Sequence, residues 1–348
     1  MAKGIVGIDI GNDSIRAVEV MDATSSRPTV SRFHEVPLPE GAARSGDVIE
    51  VHTVAAALRR LWLEGGFKSK DVVLGMGNQR VLARDLTVPK MPMKQIRESL
   101  PFQVQDMLPV PVAEAILDFY PIAEGVSEGG PVVHGLLVAA VKEAVLANVN
   151  AAQLAGLNPV EVDLIPFALT RAHMRGQLTT GTVALIDVGA TTTNVIIATN
   201  GVPQFVRIIP AGGDEITKAL MARLDMTSAS AEKAKRMLGI ITVGVAPEHR
   251  PAVEAIHEAT GQLLNGLRNT LNYYVNARQD ETIGRILLTG GGSKLPGFEA
   301  ALGELTRVPV SSEDGFGGVK VMRTADKQDA VSRSAMTIAL GLALGSKA

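Results

Sequence analysis

The sequence has no cysteine, which excludes disulfides, thiolate metal sites and a thiol nucleophile, and leaves the compartment open. Neither sign of charge dominates. The formal net charge of -2 gives no basic field to draw nucleic acid or an anionic membrane. Long hydrophobic runs are missing too. The apolar run before Asp9 is too short for a signal-peptide core, so the expected compartment is the cytoplasm. The uncharged stretch 188–206 carries Thr191-Thr192-Thr193-Asn194, Gly201 and Pro203, and reads as strands and turns instead of a membrane span. The apolar tail 335–345 is too short to cross a bilayer, so membrane association is expected only through a partner. No Gly-Lys dipeptide occurs, which excludes a Gly-x-x-x-x-Gly-Lys-Ser/Thr phosphate loop, and there is no His-Glu-x-x-His zinc motif. The six histidines, His34 and His257 among them, are scattered. Methionines such as Met91, Met93 and Met107 read as core fillers, or as the lining of a peptide groove.

What remains is ordinary globular material: 348 residues, 46% hydrophobic and 20% charged, enough for two or three domains with a core that needs no staples. The most informative feature is an internal echo. Residues 4–20 run Gly-Ile-Val-Gly-Ile-Asp9-Ile-Gly11-Asn12-Asp13-Ser14-Ile-Arg16-Ala-Val-Glu-Val. Residues 181–198 repeat the plan, with Asp187-Val-Gly189-Ala-Thr191-Thr192-Thr193 between two apolar runs. Both read as strand, Asp-x-Gly, polar turn, strand: a β-hairpin with a carboxylate, a glycine and hydroxyls at its tip. A repeat half a chain apart indicates duplicated domains, not a solenoid.

Mixed elements follow each hairpin, and alternating strands and helices predict an α/β fold. Val51, Val54, Leu58, Leu61 and Trp62 mark one helix face, ending at Gly65-Gly66. Strands are expected at 72–74, 81–88, 116–122, 132–141 and 160–165, and a helix at 142–155. Helical character over 93–108 meets Pro101, a break or a new start. Gly125 to Pro131 reads as a solvent loop. Ser228 is expected to cap a helix to Leu238, and long and short helices are expected at 256–274 and 299–305, with an apolar one at 334–344. The strand 285–288 feeds Thr289-Gly290-Gly291-Gly292-Ser293.

An Asp-x-Gly tip has definite chemistry. Glycine lets the backbone approach a ligand, and successive turn N–H groups form a nest for an anion. A carboxylate repels phosphate but holds magnesium through water. One such tip is commonly a plain turn. Two of them, with a glycine-rich turn late in the chain, form a set able to take a polyphosphate and a flat nucleoside.

These three motifs resemble the two phosphate motifs and the adenosine motif of the actin, heat-shock chaperone and sugar-kinase superfamily. The resemblance implies an actin-like (ribonuclease H-like, duplicated) two-domain ATPase fold with an inserted α/β subdomain, and ATP with Mg2+ in the cleft between halves. The implied first domain is 1–70 and 156–180 with the closing helix 334–346, the insertion 71–155, and the second domain 181–333. Asp9 and Asp187 are then the metal residues, acting through water. The nucleotide-binding set is Gly11, Asn12, Asp13, Ser14, Arg16, Gly189, Thr191, Thr192, Gly212, Gly213, Glu232, Lys235, Gly290, Gly291, Gly292 and Ser293. Arg16 stands where relatives often have lysine, and offers a fork of donors instead. Glu161 or Asp163, on a segment like the fold's first connection, is the candidate to hold an attacking water.

Leu38-Pro39-Glu40-Gly41, Gly46-Asp47-Val48-Ile49, Phe102 to Pro111, Leu117-Asp118-Phe119-Tyr120, Gly156-Leu157-Asn158-Pro159, Pro166-Phe167-Ala168-Leu169 and Gly212 to Thr217 are similar, more narrowly, to the PilM family of type IV pilus assembly proteins. That likeness implies a cytoplasmic ATP-binding scaffold, at most a slow ATPase, peripheral to the inner membrane through a partner. The implied partner is the N-terminal cytoplasmic peptide of PilN, in a groove between the first α/β subdomain and the insertion. The scaffold would couple it to the pilus inner-membrane complex and motor ATPase, with self-association possible. Alternatives on the same fold are a sugar-type kinase and an FtsA-like division protein. The latter is expected to carry an amphipathic tail that is absent after Gly345.

Overall fold

A computed structural model describes residues 4–175, 180–241, 244–278, 281–322, 325 and 330–345. The chain divides into two compact units. One comprises Met1–Thr179, Gly201–Val206 and Gly315–Ala348, the other Thr180–Asn200 and Arg207–Asp314. Residues 176–179 and 346, which fall in the expected domain ranges, lie outside the described residues.

The first unit opens with β1 (Ile5–Ile10), β2 (Ser14–Met21), β3 (Thr29–Pro37), the ribbon β4 (Ala43–Arg44) and β5 (Asp47–Val48), α1 (Val51–Gly65) and β6 (Asp71–Met76). Then come β7 (Val81–Pro89), α2 (Met93–Gln103), β8 (Ala115–Ser127), β9 (Gly130–Val141), α3 (Lys142–Leu154), β10 (Asn158–Leu164) and α4 (Ile165–His173). Next come β11 (Thr182–Val188) and β12 (Thr193–Thr199) of the second unit, then β13 (Val202–Ile209), whose residues 202–206 group with the first unit, and then α5 (Gly213–Leu224), α6 (Ser228–Leu238), α7 (Arg250–Ala277), β14 (Arg285–Thr289), α8 (Phe298–Thr306) and β15 (Val310–Ser312) of the second. The chain returns to the first unit with β16 (Lys320–Val321), α9 (Ala330–Ala335) and α10 (Thr337–Ala343).

The first unit is built on a six-stranded sheet in the order β10-β6-β1-β2-β3-β16. The two-residue period of β1 sends Val6, Ile8 and Ile10 into a core with α1 and α3, and Ile5 into a second core with α4 and α10. Both faces are therefore covered, which is why β1 reads as a nearly continuous apolar run. Val54, Leu58 and Leu61 are the buried stripe of α1, and Gly66 in the left-handed region (φ 63°) ends it. Helix α10 lies so close to the sheet and to α4 that side chains are excluded at the crossing. A Cβ on Gly7 would sit 2.0 Å from the Ala339 oxygen, and one on Gly341 would sit 1.9 Å from the Ala168 oxygen.

A separate three-stranded antiparallel sheet, β7-β9-β8, carries α2 on Ile96 and Leu100, with Val104 just after the helix in the same core. It spans a narrower stretch than the 71–155 assigned from sequence. Strand β6 pairs in parallel with β1 and β10 inside the main sheet, and Ala151 and Ala152 of α3 pack in the α1 core. Two local expectations are also corrected. The predicted loop 125–131 is mostly strand, because Ser127 pairs with Gly130 across a two-residue turn. Pro101 lies inside the last turn of α2, which ends at Gln103 instead of running to 108.

A five-stranded sheet runs in the order β13-β12-β11-β14-β15. The apolar stripe of α7 (Val253, Ile256, Leu263, Leu264, Leu267, Leu271, Tyr274) is buried. Helix α6 is capped by Thr227, whose side chain accepts from the Ser230 N–H at 3.3 Å, so the cap is one residue before the expected Ser228. Among the described residues, no helix is long and apolar enough to cross a membrane.

Candidate functional site

In the first unit the β1–β2 hairpin closes through Gly11, whose N–H donates to the Ser14 carbonyl at 2.9 Å. Asp9, 5% exposed, lies directly across from Arg16. The Arg16 guanidinium reaches Asp9 at 3.6 Å and Glu35 at 2.9 Å, and its Nε is buried without a hydrogen-bond partner. Burial pushes the Asp9 carboxyl up, and Arg16 pulls against that without cancelling it. Asn12 turns its side-chain oxygen to the Ser45 N–H at 2.5 Å, and the Asp13 carbonyl accepts from Leu38 at 2.8 Å. Both residues thus anchor the tip to the chain that follows β3, while Ser14 is buried at the start of β2.

The tip of the hairpin is braced from behind. Ser45 and Gly46 form the turn of the β4–β5 ribbon, both at positive φ. The next residue, Asp47, accepts from Asn78 at 2.5 Å and pairs with Arg80 at 3.2 Å. Burial raises the Asp47 carboxyl above its ordinary range despite these partners.

The two candidate catalytic carboxylates are placed differently. Glu161 is exposed on the edge strand β10. One Asp163 oxygen accepts from the Leu164 N–H at 2.7 Å, and the other pairs with Arg171, which also donates to the Gly341 carbonyl at 3.1 Å. That geometry ties β10, α4 and α10 together.

In the second unit the glycines converge. Gly189 closes its hairpin on the Thr192 carbonyl at 2.9 Å, and its own carbonyl accepts from Gly213 at 2.9 Å. A Cβ on Gly212 would lie 2.5 Å from the carbonyl oxygens of both Gly189 and Ala190, and one on Gly292 would meet the Gly189 oxygen at 3.2 Å. Gly290 has φ +86°, a conformation glycine adopts freely, and a Cβ there would come within 2.7 Å of Asp187 Oδ1. Ser293 fastens the turn by donating to the Gly290 carbonyl at 2.7 Å. Gly189, Gly212, Gly213, Gly290 and Gly292 therefore form one side-chain-free surface. Thr191 and Thr192 stand half-buried at the hairpin tip, and Gly291 has open space where a side chain would be.

Lys235 comes to this surface from α6. It is buried, and its ammonium donates to the Gly213 carbonyl at 3.1 Å and to Thr217 Oγ1 at 2.8 Å, and pairs with Glu232 at 2.5 Å. Burial works to raise the Glu232 carboxyl, but Lys235, Arg236 and Thr217 together hold it below the ordinary value. Thr217, the end of the family-like stretch from Gly212, was not named a site residue from the sequence; it falls one helical turn after Gly213. Asn194 and Thr289 were missed as site residues as well. They flank Asp187 on the neighbouring strands, Asn194 by antiparallel and Thr289 by parallel pairing.

Gly291, with open space where a side chain would be, and the half-buried Thr191 and Thr192 leave this cluster open to a nucleotide, while Gly212, Gly290 and Gly292 are held by close packing, a Cβ at each falling within 3 Å of another part of the chain. Among the described residues no group of three or more His, Asp or Glu is placed to hold a metal directly. Single buried carboxylates such as Asp9 and Asp187 suit a hard cation that keeps most of its water.

The sequence profile of the family "Type IV pilus assembly protein PilM" matches residues 7–347. A solved PilM-PilN type IV pilus biogenesis complex is similar with TM-score 0.85 and 27% identity, over 98% of this chain and 97% of that one. The MreB5 protein of Spiroplasma citri bound to ADP has the same fold with TM-score 0.55 and 11% identity, over 97% of this chain and 94% of that one. Cell division protein FtsA of Bacillus subtilis (strain 168) is 23% identical over 333 residues, 84% of this chain and 74% of FtsA. The architecture is the actin-like fold expected from the paired hairpins.

Proposed function

This chain belongs to the type IV pilus assembly protein PilM family, and we propose that it is the nucleotide-binding scaffold of a pilus inner-membrane assembly complex, gripping the N-terminal cytoplasmic peptide of a PilN partner and linking it to the pilus motor. One observation carries the reading: the likeness runs through the insertion as well as both hairpins, over 98% of the chain. The hairpins alone mark only the superfamily. On this reading the protein works in the cytoplasm and meets the membrane through its partner. The FtsA alternative is supported more weakly, at 23% identity. No observation favours a sugar kinase.

ATP is the ligand assigned to the glycine surface of the second unit and to the Gly11–Ser14 tip of the first. Turn N–H groups and the hydroxyls of Ser14, Thr191 and Thr192 are donors of the kind that hold phosphate oxygens. Glu232, Lys235 and the Gly290–Ser293 turn are assigned to the nucleoside. Magnesium, when bound, would supply positive charge against the negative charge of the phosphates. Asp9 and Asp187 are the carboxylates assigned to accept hydrogen bonds from its water. Asp163 already answers Arg171 and a backbone N–H, which makes it a poor holder of an attacking water. Glu161 is exposed and offers no desolvated base either, and the reading is that of an ATP-binding scaffold with at most slow hydrolysis.

Calorimetric titration of the full chain with a synthetic PilN N-terminal peptide, with and without ATP and magnesium, tests the assignment. Specific binding is expected against a scrambled control. No binding in either medium removes the pilus reading.

A further inference from the structure

Asp187, Asn194 and Thr289 form one row across three strands. Asn194 on β12 and Thr289 on β14 each pair with Asp187 on β11, so the three side chains share a face of the sheet. The row is dry-walled: Asp187 is 5% exposed, and Asn194 and Thr289 2% each. Asn194 donates its amide Nδ2 to Asp187 Oδ2 at 3.3 Å, an orientation the chemistry requires because a carboxylate only accepts. That leaves Asn194 Oδ1 as an acceptor without a hydrogen bond, and Thr289 Oγ1 is likewise buried without one.

Two unsatisfied oxygens on either side of a buried carboxylate are not a stable arrangement in a dry core, since buried polar groups are almost always paired with protein or water. The missing species must donate to Asn194 Oδ1 and to a carboxylate, and must accept from a hydroxyl. Water does all three, and a polar site with two to four partners is where buried water is held. Gly290 packs its backbone closely against the same carboxylate, where a Cβ would approach Asp187 Oδ1 at 2.7 Å and the Val188 oxygen at 2.4 Å.

We propose that Asn194 and Thr289 hold ordered water beside the Asp187 carboxylate and so fix its orientation toward the hydrated magnesium ion of a bound nucleotide. They are positioning residues, acting through Asp187. The inference rests on the nucleotide reading above, and the test separates the two. Thr289→Val keeps shape and strand preference and removes only the hydroxyl; Thr289→Ser keeps the hydroxyl. ADP affinity of the full chain is measured in magnesium and again in EDTA. The expected result for Thr289→Val is a loss of about tenfold in magnesium, the usual scale for an outer-shell partner of a metal site, with the EDTA value unchanged. Thr289→Ser restores most of it. A crystal structure that shows ordered water is expected to place it within hydrogen-bond reach of Thr289 Oγ1 and Asn194 Oδ1. Undiminished magnesium-dependent binding by Thr289→Val, or an equal loss in both media, overturns the proposal. If the wild type binds ADP in neither medium, the nucleotide reading has failed instead. The crystal then decides: a dry row overturns the inference, and water on both side chains upholds it.

Discussion

Replacing Lys235 by methionine tests the electrostatics of the glycine surface directly. The substitution keeps the length and apolar stem and removes three interactions: to the Gly213 carbonyl at 3.1 Å, to Thr217 at 2.8 Å and to Glu232 at 2.5 Å. Breaking a fully buried ion pair on one side costs about 3–5 kcal/mol. Here the Glu232 side chain is 35% exposed, and it keeps Arg236 at 2.8 Å and Thr217 at 3.0 Å, so solvent and the remaining partners absorb much of that penalty. The expected loss is about 2 kcal/mol, most of it from the weakened charge pair and the lost ammonium bonds to Thr217 and to the Gly213 carbonyl, which keeps the Thr217 hydroxyl at 3.4 Å. The pH dependence carries the sharper signature. Glu232 is held below its ordinary value of 4.5 in the folded chain, so its contribution is present above that value and lost as pH falls through the folded one. The gap between wild type and Lys235→Met should therefore be full at neutral pH and narrow in acid. Urea unfolding followed by circular dichroism at a series of pH values measures it, with Glu232→Gln completing a double-mutant cycle. A Lys235→Met chain as stable as wild type at pH 7, or a gap that stays constant into acid, refutes the account.

Gly341→Ala should destabilise the first unit by about 3 kcal/mol or more, because the new Cβ falls 1.9 Å from a backbone oxygen of α4, and neither that helix nor the β1 strand at Gly7 leaves room to shift. Thermal melting shows it, and a melt unchanged from wild type would contradict the packing described. Glu19→Gln removes a buried carboxylate that accepts from Ser31 at 2.7 Å, Arg32 at 3.1 Å, Lys68 N–H at 3.0 Å and Ser69 N–H at 2.9 Å; an amide leaves at least one donor facing another, at about 3 kcal/mol. Burial opposes ionisation of Glu19, but these four donors outweigh it and hold its carboxyl below 4.5, so the variant's deficit should fade as pH drops through the folded value.

Local signals carried the hairpins, the α1 stripe and the long α7 face, since each is written in a period of two or 3.6 residues within one window. The glycine set was legible because glycine marks a close approach wherever it occurs in the chain. What escaped was long-range pairing. No local window tells that β6 joins β1 and β10 in parallel, so residues 71–76 were read into the insertion. Nor does one tell that Thr289 stands beside Asp187, since that neighbour is fixed by parallel register between strands about a hundred residues apart. Asn194 was nearer to hand: a tight hairpin places the residue seven positions on opposite Asp187, and the same count from Asp9 reaches Arg16. Asp163 was a catalytic candidate from its place on a segment like the fold's first connection, and its partner, Arg171, comes from the helix that folds back after β10.

The echo between the halves is therefore one of backbone, and it breaks at the side chain across the hairpin. Both tips need a glycine that turns the chain and a carboxylate buried at the strand end, and both have them. Across from Asp9 stands a guanidinium that also reaches Glu35; across from Asp187 stands a neutral amide. A fixed cation beside a carboxylate competes with any mobile one, whereas an amide orients a carboxylate without discharging it. The same hairpin thus places a guanidinium opposite one acid and an amide opposite the other, so the two tips differ in the side chain that orients each carboxylate.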